Sequence, residues 1–87
     1  MISRTVVIEN KEGLHMRPAG VVAKEMGKFT SNLTINVGSK KVNGKSLIGI
    51  VSACIKPGTE VTFECEGPDE EAAAAKLDEL IANNFGE

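Results

Sequence analysis

Two stretches alternate apolar and polar side chains without a break: Leu33, Ile35 and Val37 against Asn32, Thr34 and Asn36, and Val61, Phe63 and Cys65 against Thr62, Glu64 and Glu66. A period of two puts the apolar members on one side of a β-strand and the polar members on the other. Ile2 to Glu9 repeats the pattern more loosely, with Ile2, Val6 and Ile8 on one side and Ser3, Thr5 and Glu9 mostly on the other. Strands with one dry face do not suit a parallel sheet, which is covered on both sides. They predict an antiparallel sheet with a single layer of helices.

The segments between the strands supply that layer. From Met16 to Lys28, Ala19, Val22, Ala23 and Met26, with Phe29 just beyond, recur at helical spacing. Gly38-Ser39 turns the second alternating stretch into a short polar one, Lys40 to Asn43 around Val42, which makes a hairpin. Leu47-Ile48-Gly49-Ile50-Val51 fits a buried strand as well as a helix, and Ser46 in front of it, a good N-cap, points to a short helix. Pro57-Gly58 marks a turn before the strand around Phe63. Gly67-Pro68-Asp69 ends that strand; Asp69 is placed to cap, and Glu70 and Glu71 favour the positive end of a last helix carrying Ala73, Ala74, Leu77, Leu80 and Ile81 on one stripe. The order β-α-β-β-α-β-α predicts an α+β fold: a two-layer open-faced β-sandwich, with a four-stranded antiparallel sheet and three helices on one face.

The 87 residues leave room for one domain, 1–87, too small for a long catalytic cleft, so the chain is expected to work through partners. The formal charge of −2 hides a division. Residues 1–58 carry nine basic and three acidic side chains, and residues 59–87 carry one basic and nine acidic. The first part offers a basic face to an acidic partner, although a solvated basic half and an acidic helix would look the same. Nucleic acid is an unsuitable partner: the chain is acidic overall and has no Trp or Tyr for stacking bases. No run approaches the ~18 apolar residues of a membrane span, and Met-Ile-Ser-Arg-Thr lacks a signal-peptide core, so a cytoplasmic protein without membrane insertion is expected. Cys54 and Cys65 lack metal-ligand spacing and the chain has a single histidine, so no metal site is expected and both cysteines read as free thiols.

That histidine, His15, lies in Gly13-Leu14-His15-Met16-Arg17-Pro18-Ala19, where loop becomes helix. The first helical turn has N–H groups without intrahelical partners and a partial positive charge, so it attracts an anion. Pro18 suits that turn because its missing N–H needs no partner there. A neutral imidazole is a nucleophile toward phosphorus, and the Arg17 guanidinium matches phosphate oxygens. A His followed by Arg is also what a plain solvated loop carries, and composition by itself stops at an anion site.

Gly13-Leu14-His15-Met16-Arg17-Pro18-Ala19, followed about thirty residues later by Gly44-Lys45-Ser46-Leu47-Ile48-Gly49, closely resembles the histidine-containing phosphocarrier (HPr) family of the bacterial phosphoenolpyruvate:sugar phosphotransferase system, over the whole chain. The resemblance implies a carrier rather than an enzyme, without a cofactor and working as a monomer. His15 would accept a phosphoryl group on Nδ1 from phosphorylated Enzyme I and donate it to the IIA domains of sugar transporters. Arg17 would steady the group, and the backbone N–H groups of Met16 and Arg17 would receive its oxygens. Ser46 matches the family's regulatory serine, the target of an HPr kinase/phosphorylase, whose phosphate is a handle for a catabolite control transcription factor. Met16, Lys24, Lys28, Lys45, Leu47, Ile48 and Val51 would form the docking patch, with core packing as the rival role for Val51 and for Ile50.

Met16 departs from the small or hydroxylated residue more usual in the family, Ala53-Cys54 replaces a more usual Leu-Gly, and Pro57 is unusual before Gly58. Met16 would add an apolar contact to the docking face, and the other two departures bear on the exit of the second helix and on the exposure of Cys54, not on His15. The resemblance also leaves room for a mainly regulatory binding protein acting through phosphorylated Ser46, and for the nitrogen-related branch of the same system. An unrelated small ligand-sensing α+β domain is the structural alternative.

Overall fold

The computed structural model describes residues 1–86. Its elements are β1 (Ile2–Val7), α1 (Met16–Met26), β2 (Asn32–Val37), β3 (Lys40–Asn43), α2 (Leu47–Ser52), β4 (Glu60–Glu66), α3 (Glu70–Ala82) and a closing 3-10 turn, Asn84–Gly86. The run after Ser46 is therefore a helix. Four strands form one antiparallel sheet in the order β1-β4-β2-β3. The crossing order puts β4, last in the chain, in the middle, where Phe63 pairs with Arg4 on one side and with Ile35 on the other.

The alternation sorts the two faces as expected. Leu33, Ile35, Val61, Phe63 and Cys65 are buried with Ala19, Val22 and Met26 of α1, Ile50 of α2, and Ala73, Ala74, Leu77 and Leu80 of α3. Ile81, expected on the stripe of α3, is only half-buried at its edge. The Phe63 and Phe85 rings stack tilted, with centroids 5.9 Å apart. On the open face the Thr5 and Thr62 hydroxyls share a hydrogen bond of 3.0 Å, and the Asn36 amide donates to the Glu64 carboxylate at 2.7 Å. Such cross-strand pairs let a wet face add to the sheet.

Two boundaries fall short of the periodicity. β1 stops at Val7, yet Ile8 stays buried and its amide donates to the Thr59 carbonyl at 2.9 Å, because the chain keeps one more rung before turning away. α1 ends at Met26, and the Lys28 and Phe29 amides close shorter-range bonds to Glu25 and Met26, which tightens the last turn.

Asp69 does not cap α3 with its side chain, contrary to expectation. Its carboxylate instead accepts from the Thr30 and Ser31 amides, at 2.9 and 2.7 Å, and from the Ser31 hydroxyl, which in turn accepts from the Asp69 amide. Three donors ahead of β2 outcompete the first amides of its own helix. The Ser31 hydroxyl first, then the Thr30 amide, hold the Asp69 carboxyl down at about 2.

Candidate functional site

The loop between β1 and α1 is anchored from its beginning to its end. The buried Asn10 side chain donates to the Asn84 carbonyl at 2.7 Å, and the Asn10 carbonyl accepts from Gly13 N–H at 2.9 Å. Gly13 has φ +71°, and a Cβ there would lie 1.9 Å from the Ile55 carbonyl oxygen, so only glycine lets the loop rest flush on the chain leaving α2. The next amide, of Leu14, donates to that same oxygen at 3.0 Å, and the Leu14 side chain enters the core.

His15 follows directly and occupies the N-cap of α1, with extended backbone at φ −81° and ψ −165°. Its carbonyl accepts the first helical bond, from Ala19 N–H at 2.9 Å, while its ring makes no capping bond. The ring is 34% exposed, with Nε2 4.0 Å from the Glu12 carboxylate. Met16 and Arg17 open the helix and are exposed; Pro18, in the same turn, is buried. Their amides belong to the turn whose donors have no intrahelical acceptor. The combination is an imidazole, a positive helix end and a guanidinium within three consecutive residues, able to receive a tetrahedral anion without a closed pocket.

His15 lines a concavity of about 190 Å³ with Glu12, Leu14, Met16, Val51, Cys54, Ile55 and Lys56. Beside it lies an apolar dish of about 140 Å³ made by Met16, Leu47, Ile48, Val51 and Ser52. Met16 and Val51 line both. Ile48 is 79% exposed and Met16 64%, while Ile50 of the same helix is fully buried. Of the two residues with a rival core role, Ile50 thus packs inside and Val51 is half-buried at the rim.

Ser46 is the N-cap of α2, its hydroxyl accepting from Gly49 N–H at 3.0 Å. The basic residues named with the patch separate into different roles. Lys45 is not a free surface cation: its ammonium donates to the Phe29 carbonyl at 2.6 Å and ties the start of α2 to the end of α1. Lys28 is paired with Glu25 at 3.2 Å. Arg17, Lys24, Lys28 and Lys45 line neither concavity.

Cys54 and Cys65 are both free thiols. Cys65 is buried in the core, and burial pushes its thiol up. Cys54 is exposed, with φ +53° in the left-handed region, and opens beside His15. Glu12, Ser52 and Lys56 join the two concavities without having been singled out by pattern. Only the turn at Gly13 and the return after α2 bring these residues together, and neither leaves a periodic trace.

The family model described as the phosphorylation site of the PTS HPr component matches residues 2–83. The phosphocarrier protein HPr of Mycoplasma capricolum is 44% identical over 81 residues, which cover 93% of this chain and 91% of that one. The HPr-like protein Crh of Bacillus subtilis is 40% identical over 77 residues, or 88% of this chain and 91% of Crh; a crystal structure of Crh, solved as a dimer with a swapped domain, superposes with a TM-score of 0.70 at 37% identity, over 99% of this chain and 94% of that one. The crystal structure of HPr-C-His from Thermoanaerobacter tengcongensis matches with a TM-score of 0.92 at 42% identity, covering 100% of this chain and 98% of that one.

Proposed function

The chain belongs to the HPr family of the phosphotransferase system, and on that premise we propose that it accepts a phosphoryl group from phosphorylated Enzyme I on His15 Nδ1 and donates it to sugar-specific IIA domains. One observation carries the reading: His15 stands at the N-cap of α1, its ring at an open concavity and the amides of Met16 and Arg17 directly behind it. A lone pair on the ring nitrogen attacks phosphorus, the donor's P–N bond breaks, and the departing nitrogen keeps the electron pair. The first-turn amides receive the phosphoryl oxygens and Arg17 steadies them. A carrier has to release what it holds, and a surface helix end worth about 0.3–1 kcal/mol to an anion suits that task. The scheme needs no cofactor and no metal, and the whole chain acts as one domain and as a monomer in the cytoplasm.

Docking centres on the apolar dish of Met16, Leu47, Ile48 and Val51, with Arg17, Lys24 and Lys28 steering an acidic partner. Lys45 contributes by fixing α2 rather than by touching the partner. Phosphorylation of Ser46 by an HPr kinase/phosphorylase places about two negative charges at a helix start that tolerates them. The charge opposes the acidic donor and presents a handle to a catabolite control transcription factor. Similarity to Crh favours a second reading, a mainly regulatory protein, and the presence of His15 opposes it. The nitrogen-related branch would share the His15 chemistry and differ in its Enzyme I and acceptor.

Incubation with phosphoenolpyruvate and Enzyme I should yield acid-labile, base-stable phosphate on the wild type and none on His15→Ala. An unlabelled wild type would sink the carrier reading and leave the regulatory one. With ATP and HPr kinase, acid-stable phosphate should appear and be lost in Ser46→Ala; a wild type left unlabelled would remove Ser46 from the scheme.

A further inference from the structure

We propose that Glu12 is a positioning residue for His15: its carboxylate draws the neutral ring's proton to Nε2 and so keeps Nδ1 as the nitrogen with the reactive lone pair. The inference rests on the carrier reading and supplies a cause for the choice of nitrogen. Glu12 Oε2 lies 4.0 Å from Nε2, beyond a direct hydrogen bond and within reach of one water or of the bare field. Among the described residues it is the carboxylate that lines the concavity with the ring. Lys56 and Cys54 line the same concavity, and Arg17 follows two residues on.

This closeness is built into the backbone. The Gly13–Asn10 bond, the left-handed Gly13 and the Leu14–Ile55 bond hold the chain between Glu12 and His15 in a single turn, so the two side chains reach the same opening. A negative charge near one ring nitrogen favours the proton there, and the second nitrogen is left with an unshared pair. The other ring nitrogen is only about 2 Å farther away and feels most of the same field. In a water-like surround the charge therefore weights the nearer site by about twofold, less after screening by salt. When Nδ1 attacks phosphorus, the N–P bond forms and the proton stays on Nε2. The ring becomes an imidazolium whose charge faces the carboxylate.

The test is the tautomer of the resting protein, read from the ring 15N shifts at about pH 8.5, roughly two units above the ordinary imidazole value. Glu12 is 76% exposed, so Glu12→Gln removes the charge without touching the core. The ratio of Nε2–H to Nδ1–H should fall by about twofold in Glu12→Gln and stay near the wild-type value in Glu12→Asp. An unchanged ratio in Glu12→Gln, or an Asp variant that behaves like Gln, would overturn the inference. Labelling by Enzyme I is scored separately: a Glu12→Gln protein that keeps its tautomer ratio and still takes phosphate loses this inference and leaves the carrier standing.

Discussion

At the scale of single residues, Asp69 and Cys54 show side chains doing something other than their sequence neighbours suggest. Asp69 stands before α3 but binds the chain ahead of β2 through three donors. Its folded value of about 2 lies below the ordinary 3.8, so the stability it contributes is fully present above about pH 4 and is lost as pH falls through 2. Urea midpoints measured between pH 5 and pH 2 should drop steeply in the wild type and much less in Asp69→Asn; parallel curves would remove Asp69 from the acid limb. Cys54 carries a side chain in the left-handed region, which costs a non-glycine residue about 1 kcal/mol. Its thiol is exposed at the rim of the His15 concavity. Cys54→Gly is therefore expected to stabilise the protein by roughly 0.5–1 kcal/mol in urea titrations, and a loss of stability would show that the thiol packs on the His15 concavity.

At the scale of elements, α2 has six residues, too few to persist without its cap and its one deeply buried side chain, Ile50. Ser46→Ala removes the hydroxyl that accepts from Gly49 and should cost about 1 kcal/mol, measurable by denaturant unfolding. No change would mean that the Lys45 tie to Phe29 holds the helix start unaided. The exposed side of α2 behaves oppositely. Ile48→Lys should leave stability within about 0.5 kcal/mol while raising the KM for Enzyme I several-fold, because the side chain is 79% exposed on the dish. A KM unchanged by that charge would place docking elsewhere. The helix links two anchoring points: Ser46 caps its start, and the chain leaving its far end offers the Ile55 carbonyl that supports the His15 loop.

At the scale of the whole molecule, the division of charge along the chain is partly undone by folding. Arg4 from the basic part pairs with Asp78 of α3 at 2.8 Å, and Lys76, the one basic residue of the acidic part, joins Glu25 of α1 at 3.4 Å. Lys11, Arg17, Lys24, Lys40, Lys41 and Lys56 stay exposed, as does Lys28, which is paired with Glu25. If these steer an acidic partner, the rate of phosphoryl transfer from Enzyme I should fall as ionic strength rises from about 0.01 to 0.15 M, where the screening length shrinks from about 30 to 8 Å. A salt-independent rate in stopped-flow or quench assays would assign docking to the apolar dish.

The periodicities of Leu33–Val37 and Val61–Cys65, the hairpin at Gly38-Ser39 and the stripe of α3 were enough to determine the element order and the dry face of each strand, because one-sided burial depends only on where a side chain falls along its own strand. His15 at a helix start and Ser46 as a cap were legible for the same reason: a cap is a relation between residues a few positions apart. The helix headed by Ser46 was legible from its cap, but which of its apolar side chains would be buried was not: Ile50 enters the core and Ile48 faces solvent. The concavity joining Glu12 and His15 to Cys54 and Lys56, the diversion of Asp69 to Ser31 and of Lys45 to Phe29 were decided by tertiary structure alone. Each depends on two segments meeting across 16 to 44 positions of chain, and no local pattern of side chains records which distant donors arrive first.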